Sequence, residues 1–226
     1  MADLAAESSD RFTSSASLDR VHRLRRDAQA VLIGRGTVTF DNPSLTIRRN
    51  VTPPPQPPLR VVLDSRLGLL IDRVEEGKSF QLFQDELPSL VYHAMGDVDE
   101  ESLNLLETTH LAQVPLDEQT NPSKPSLDVT AIWKDLQQTW GVEHLMVEGG
   151  PATAHSFLQA GLVDRVILVK AKEITFREPV PSGINAKTLE AANLTCLGSF
   201  DEEGDTTECW VRLGDAWPTP ELTSWP

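Results

Sequence analysis

The chain has 226 residues, a formal net charge of −14 and a hydrophobic share of 39%. That length suits one large domain or two small ones, and the acidity argues against nucleic acid as a general partner. The balance is uneven: residues 1–60 hold nine Lys or Arg against six Asp or Glu, and the remainder holds 11 against 28, so a small phosphorylated ligand could still bind in the first quarter.

Residues 1–12 are polar and read as a loose tail without the basic and apolar regions of a secretory signal, so a cytoplasmic home is expected, with an organellar one left open. From Ser17 to Ala28, Leu18, Val21, Leu24 and Ala28 recur at helical spacing and form one apolar stripe. Arg20, His22, Arg23, Arg25 and Arg26 occupy the other faces, and four of these five read as a solvated helix face. A buried strand at 29–33 then breaks at Gly34-Arg35-Gly36-Thr37. Glycines at such a break let the backbone approach a ligand, Thr37 could open a short helix, and a helix N-terminus there suits a pyrophosphate. Asp41-Asn42-Pro43 stops that helix, because the residue before proline is pushed out of the α region.

Residues 49–58 form a proline-rich connector, followed by a strand at Leu59–Leu63 that ends at Asp64-Ser65. Further elements are a strand near Leu90–Ala94, a helix around Glu100–Glu107 and a short strand at His110–Val114. Asp128 caps a helix that points Ile132, Trp133, Leu136 and Trp140 inward, with Gly141 as its stop. The strand Glu143–Val147 delivers Glu148-Gly149-Gly150-Pro151 to a tight turn, and a helix runs from about Ala152 to Gln159. Val163–Ala171 is a strand, Glu173–Ala191 a loop, and 193–200 with 206–213 a closing β-hairpin. The hairpin carries the two cysteines, Cys196 and Cys209, which read as reduced thiols rather than a disulfide.

Strands alternating with helices imply a largely parallel sheet with helices on both faces, and the hairpin adds an antiparallel edge, making the sheet mixed. One domain, 13–215, is expected between the N-terminal tail and a C-terminal tail at 216–226. In such a sheet, ligands collect beyond the carboxyl ends of the strands. Two of those ends stand out, Gly34–Thr37 and Glu148–Pro151, and Glu148 is a carboxylate poised at strand's end beside two glycines. The five histidines show no metal spacing, so no metal is expected.

Two long blocks together resemble one family. His22-Arg23-Leu24-Arg25, Ala30–Val38, Asp41-Asn42-Pro43-Ser44-Leu45-Thr46-Ile47-Arg48 and Leu59–Ser65 are similar to the riboflavin-biosynthesis reductase domain, as is His144–Pro151 continued through Phe157–Asp164. The resemblance implies a dihydrofolate-reductase-like fold, usually a homodimer, and NADPH-dependent reduction of a ribosylaminopyrimidine 5′-phosphate to the ribitylamino compound. It implies that Thr37, Asp41 and Ser65 contact the cofactor, with Asp41 near the nicotinamide and Ser65 by the adenosine. Gly149, Gly150, Pro151, Ala152 and Thr153 would receive the pyrophosphate. Arg25, Ser44, Leu45, Arg48 and Glu148 would hold the substrate, the arginines suiting its phosphate, and Asp41 or Glu148 would organise the proton.

The chain departs from that family in two places. The usual first strand, ending in Ser-Leu-Asp-Gly, is not expected in this sequence, and Ser17-Leu18-Asp19 is expected in the following helix. The usual Trp-Ile-Thr-Ser appears as Arg11-Phe12-Thr13-Ser14. Losing an inner strand thins the cofactor pocket, which keeps a second reading open: an impaired homologue that binds a nucleotide or a partner subunit. A third is a pterin reductase of the same fold, against which the two arginines argue. With no zinc-deaminase signature, deamination falls to a separate protein. The substrate is either the diaminopyrimidinone or the aminouracil.

Overall fold

The computed structural model describes residues 13–49, 52, 54–96, 108–118, 126–171 and 181–226. At its centre is β1 (Ala30–Gly34), whose first four residues are completely buried. Beside it lies β2 (Leu59–Leu63), with Ala30 opposite Leu59 and Gly34 opposite Leu63. Outward from β2 come β3 (Ser89–His93) and β4 (Thr109–Gln113), and on the other flank β5 (Leu145–Val147) pairs with β1. All five strands run parallel, in the order β4-β3-β2-β1-β5. Their carboxyl ends, at Gly34, Ser65, Ala94 and Glu148, therefore open onto one edge.

Period-two alternation sends each strand's apolar residues to two cores. Ala30, Leu32, Val61, Leu90 and Tyr92 pack with Ile132 and Leu136 of α4 (Val129–Gln138) and Phe157 of α5 (Pro151–Gln159). Val31, Ile33, Val62 and Val91 pack with Leu69 and Leu70 of α3 (Gly68–Glu76) and Val38 of α2 (Arg35–Asp41). Asp128 caps α4 as its sequence requires, accepting the amides of Thr130 and Ala131 at 2.8 and 3.1 Å.

The strand β6 (Arg165–Ala171) and the hairpin β7 (Leu194–Glu202) and β8 (Asp205–Arg212) form a separate antiparallel sheet, ordered β6-β8-β7. The hairpin is present, but among the described residues it extends β6 and not the parallel sheet. Its two-residue turn has Glu203 and Gly204 at φ 49° and 90°, the geometry that matches strand twist. Within the described residues β5 pairs only with β1 and β6 only with β8, so each keeps an unpaired edge. Both strands are correspondingly half-buried.

α1 (Ser15–Asp27) joins the two sheets and corrects one expectation. Arg20, read as solvated, is 4% exposed: its guanidinium lies 4.7 Å from the Phe200 ring centroid and pairs with Glu202 at 2.8 Å. The Ser17 hydroxyl donates to Asp205 at 2.6 Å. The hairpin end that α1 meets is acidic, so a polar face docks there, and Leu18, Val21 and Leu24 are only half-buried.

Two helices escaped the sequence reading. α3 lacks its own capping side chain; Asp64, five residues upstream, accepts the Leu69 amide at 2.7 Å. α6 (Ala186–Ala191) falls in the segment expected as a loop, and its capping box links Asn185 and Thr188. The helix expected near Glu100–Glu107 lies outside the described residues. The segment read as a C-terminal tail folds back, with Trp217 and Trp225 edge to face at 5.1 Å and the Pro226 carbonyl accepting Arg23 Nε at 2.8 Å. Cys196 and Cys209 are free thiols.

Candidate active site

The turns after β1 and β5 face each other. A Cβ added to Gly34 would sit 2.8 Å from Thr153 Oγ1, and one added to Gly149 would sit 2.8 Å from Thr153 Cβ. One at Gly150 would come within 3.9 Å of Thr37 Oγ1. Glycine is thus required at 34 and 149 because the β1 turn, the β5 turn and the first turn of α5 meet. Gly36, by contrast, faces open space. The helix after β1 begins at Arg35, two residues before Thr37, with Gly34 as its N-cap.

α5 starts with Gly150 as N-cap and Pro151 as its first residue, and no side chain caps it. The amides of Ala152 and Thr153 have no intrahelical carbonyl to reach, and the helix dipole makes that end electropositive. These residues fit a pyrophosphate. We expect Gly149→Ala to push Thr153 and the α5 terminus outward and weaken dinucleotide binding about tenfold, a drop measurable by calorimetric titration.

Beside the cradle stands a charged pair. Glu148 continues the β1–β5 ladder, its amide donating to the Leu32 carbonyl at 2.9 Å. Arg25, from the end of α1, forks onto its carboxylate, Nε to Oε1 at 2.9 Å and Nη2 to Oε2 at 2.5 Å. Both side chains are mostly buried, at 14% and 21% exposure, so water screens the pair little. The remaining Arg25 nitrogen, Nη1, donates to the Thr46 carbonyl at 3.3 Å.

Residues 42–49 form the third wall. Asn42 ends α2 in the left-handed conformation, φ 43°, and its side chain accepts the Gln81 amide at 2.8 Å. Leu45 also has positive φ, 53°, a costly state for leucine that is held here by nearly complete burial. Buried Ser44 accepts Arg48 Nη2 at 2.5 Å and lies 3.0 Å from the Thr46 hydroxyl. The Arg48 side chain is exposed, and its guanidinium has no other protein acceptor among the described residues.

Arg60 was missed by the sequence reading, which took β2 for an ordinary strand. Its side chain is 1% exposed and pairs with Asp85 at 2.8 Å. It also donates to the carbonyls of Ser44, at 3.3 Å, and of Leu87. Arg60→Met would leave those carbonyls without their donor, and we expect a loss of about 2–4 kcal/mol in a urea unfolding titration. His22, expected on the helix surface, stands one turn before Arg25, and its Nδ1 accepts the Arg48 amide at 3.2 Å.

Of the other expected residues, Asp41 closes α2, and among the described residues no donor reaches its carboxylate. Its side chain is exposed at the surface, yet desolvation by the surrounding protein shifts its pKa upward from the ordinary aspartate value. Ser65 sits beyond β2, where its carbonyl accepts the Ala94 amide at 3.0 Å. Neither is hydrogen-bonded to the rest of the cluster. Among the described residues no three His, Cys, Asp or Glu side chains are placed to share a metal ion.

A parallel α/β sheet with glycine turns, a charged pair and a phosphate-suited loop at one end defines a ligand-binding protein of the open-sheet class. More narrowly, the chain belongs to the RibD C-terminal domain family, whose model matches residues 2–174. It is 29% identical over 184 residues to the 2,5-diamino-6-ribosylamino-4(3H)-pyrimidinone 5′-phosphate reductase of Methanothermobacter thermautotrophicus, covering 81% of this chain and 75% of that protein. It is 32% identical over 167 residues to the riboflavin biosynthesis protein RibD of Aquifex aeolicus, covering 74% of this chain but only 41% of the relative. RibD of Acinetobacter baumannii superposes with a TM-score of 0.65 at 19% identity, over 92% of this chain and 54% of that one. A pyrimidine reductase-like protein of Corynebacterium diphtheriae gives 0.61 at 19% identity, over 95% and 88%. The dihydrofolate-reductase-like fold implied by the resemblance is thereby shown, and a reductase family implies a nucleotide cofactor. No helix among the described residues is long and apolar enough to cross a membrane.

Proposed function

We propose that this chain catalyses the NADPH-dependent reduction of a ribosylaminopyrimidine 5′-phosphate to its ribitylamino product, a step of riboflavin biosynthesis. The observation that carries the reading is the meeting, at one sheet edge, of the Gly34–Gly149–Thr153 cradle with the Arg25–Glu148 and Ser44–Arg48 pairs. The diaminopyrimidinone is the favoured substrate, since the alignment spans three quarters of a relative named for it. Deamination then falls to another protein, and the working unit is a homodimer.

NADPH, when bound, supplies the hydride that reduces C1 of the ring-opened ribose. The chain's own work is positioning. The α5 N-terminus, Gly149 to Thr153, would receive the pyrophosphate, with Thr37 as a further contact, and Ser65 would hold the adenosine. Arg48, oriented by Ser44, takes the substrate phosphate, and Leu45 packs beneath. Arg25 is committed to Glu148, so it acts mainly by fixing that carboxylate against the pyrimidine or ribose. Opening the glycosylamine moves a proton to the ring oxygen, and reduction of the resulting imine adds the hydride at carbon and a proton at nitrogen. Asp41 would organise that proton at the nicotinamide end, and the upward direction of its pKa shift is the one a donor needs.

The test is to mix the purified chain with NADPH and each ribosylaminopyrimidine phosphate and follow loss of the reduced-nicotinamide absorbance. Turnover with the diaminopyrimidinone supports the reading. Turnover with only the aminouracil corrects the substrate, and turnover with neither, in folded protein, refutes the reading.

A further inference from the structure

The loop that carries Ser44, Leu45 and Arg48 is tied to α1 through three of its own residues. Arg49 pairs with Asp19 and donates to the Ser15 hydroxyl, and Arg25 Nη1 reaches the Thr46 carbonyl at 3.3 Å. The third tie is His22, whose Nδ1 accepts the Arg48 amide at 3.2 Å. Only this last contact grips the main chain of Arg48 itself. An amide can only donate, so Nδ1 must keep its lone pair and the ring proton of the neutral imidazole must sit on Nε2.

The surroundings favour that neutral form. The ring is half-buried, and the charged groups facing it are Asp19 and Arg25 from α1 with Arg48 and Arg49 from the loop. Burial and the three guanidinium groups outweigh the one carboxylate and lower the His22 pKa to about 4. An imidazolium would lose the acceptor and add a fourth cation to a crowded corner.

We propose that His22 is a positioning residue: its Nδ1 fixes the Arg48 main chain and so sets the point from which the Arg48 guanidinium meets the substrate phosphate. The functional half of this inference rests on the assignment of Arg48 to that phosphate; the hydrogen-bonding half does not. Protein–ligand geometry at a charge-assisted contact is sensitive to small displacements, so losing the tie should weaken substrate binding and spare the cofactor.

The test compares His22→Ala, His22→Asn and His22→Gln. Asparagine can place Oδ1 where Nδ1 stood, whereas the glutamine oxygen falls one bond further out. In the unsubstituted chain, imidazole ¹⁵N shifts should report a bare Nδ1 and a protonated Nε2 from about pH 8 down to about pH 5. His22→Ala should speed Arg48 amide exchange and raise the KM for the phosphorylated substrate, each by roughly 5–10-fold, with kcat and NADPH affinity within about twofold. His22→Asn should restore both, and His22→Gln neither. A His22 that titrates near 6.5 as mixed tautomers, or an alanine variant with unchanged Arg48 exchange, overturns the proposal. Should the unsubstituted chain reduce neither substrate, the functional reading falls, while the imidazole shifts and the Arg48 exchange still decide the role of His22.

Discussion

Glu148→Gln should lower kcat/KM for the pyrimidine substrate by about 10²–10³-fold while leaving NADPH affinity within about threefold. Gln keeps the length and most of the volume of the side chain, so the β5–α5 turn should hold. What it removes is the charge onto which Arg25 forks at 2.9 and 2.5 Å. An amide offers that guanidinium one acceptor and turns a donor group against it, leaving a mostly buried cation unpaired at the substrate. The cofactor cradle depends instead on Gly34, Gly149 and Thr153, whose contacts do not involve the Glu148 side chain. Steady-state kinetics with a separate NADPH titration gives the answer. An effect smaller than tenfold would place Glu148 outside the reacting centre.

Arg48→Met should raise the substrate KM by about 10²-fold with a smaller change in kcat, because a phosphate held by a guanidinium loses a charge-assisted contact. Met retains much of the aliphatic stem, and Arg48 is exposed, so folding should survive. The variant also separates this reading from the pterin-reductase one, since a pterin carries no phosphate and its reduction would be almost unaffected. Equal KM values for the two proteins would move the phosphate to another part of the site.

The two glycine turns were legible because each interrupts an apolar strand, and a helix was required on the far side of each. β2 lies at Leu59–Leu63 as its β-branched run indicates, and α4 begins after Asp128, an N-cap that could be read locally. What local pattern could not show is who sits beside whom. Val163–Ala171 and the hairpin read correctly as strands, but periodicity does not name a strand's neighbours, and here they pair with one another. Arg20 looked like solvated surface because the acidic hairpin end that buries it lies about 180 residues further along the chain. α3 was missed since its capping carboxylate, Asp64, belongs to the turn before it.

The candidate site divides in the same way. Glu148 was singled out by its place at a strand end, and Arg25 and Arg48 by resemblance. Nothing in the spacing showed that Arg25 is locked onto Glu148, or that Arg60 and His22 brace the loop carrying Arg48. Those ties cross 16 to 123 residues of sequence, so no local spacing could show them.

Hydride delivery to the ribose carbon is read by isotope transfer. NADPH carrying deuterium at the transferred nicotinamide position is incubated with the chain and the diaminopyrimidinone phosphate, and the product is examined by mass spectrometry and proton NMR. The expected product carries one deuterium, located at C1 of the ribityl chain. A product without deuterium at that carbon, or NADPH oxidation without a ribityl product, would contradict it.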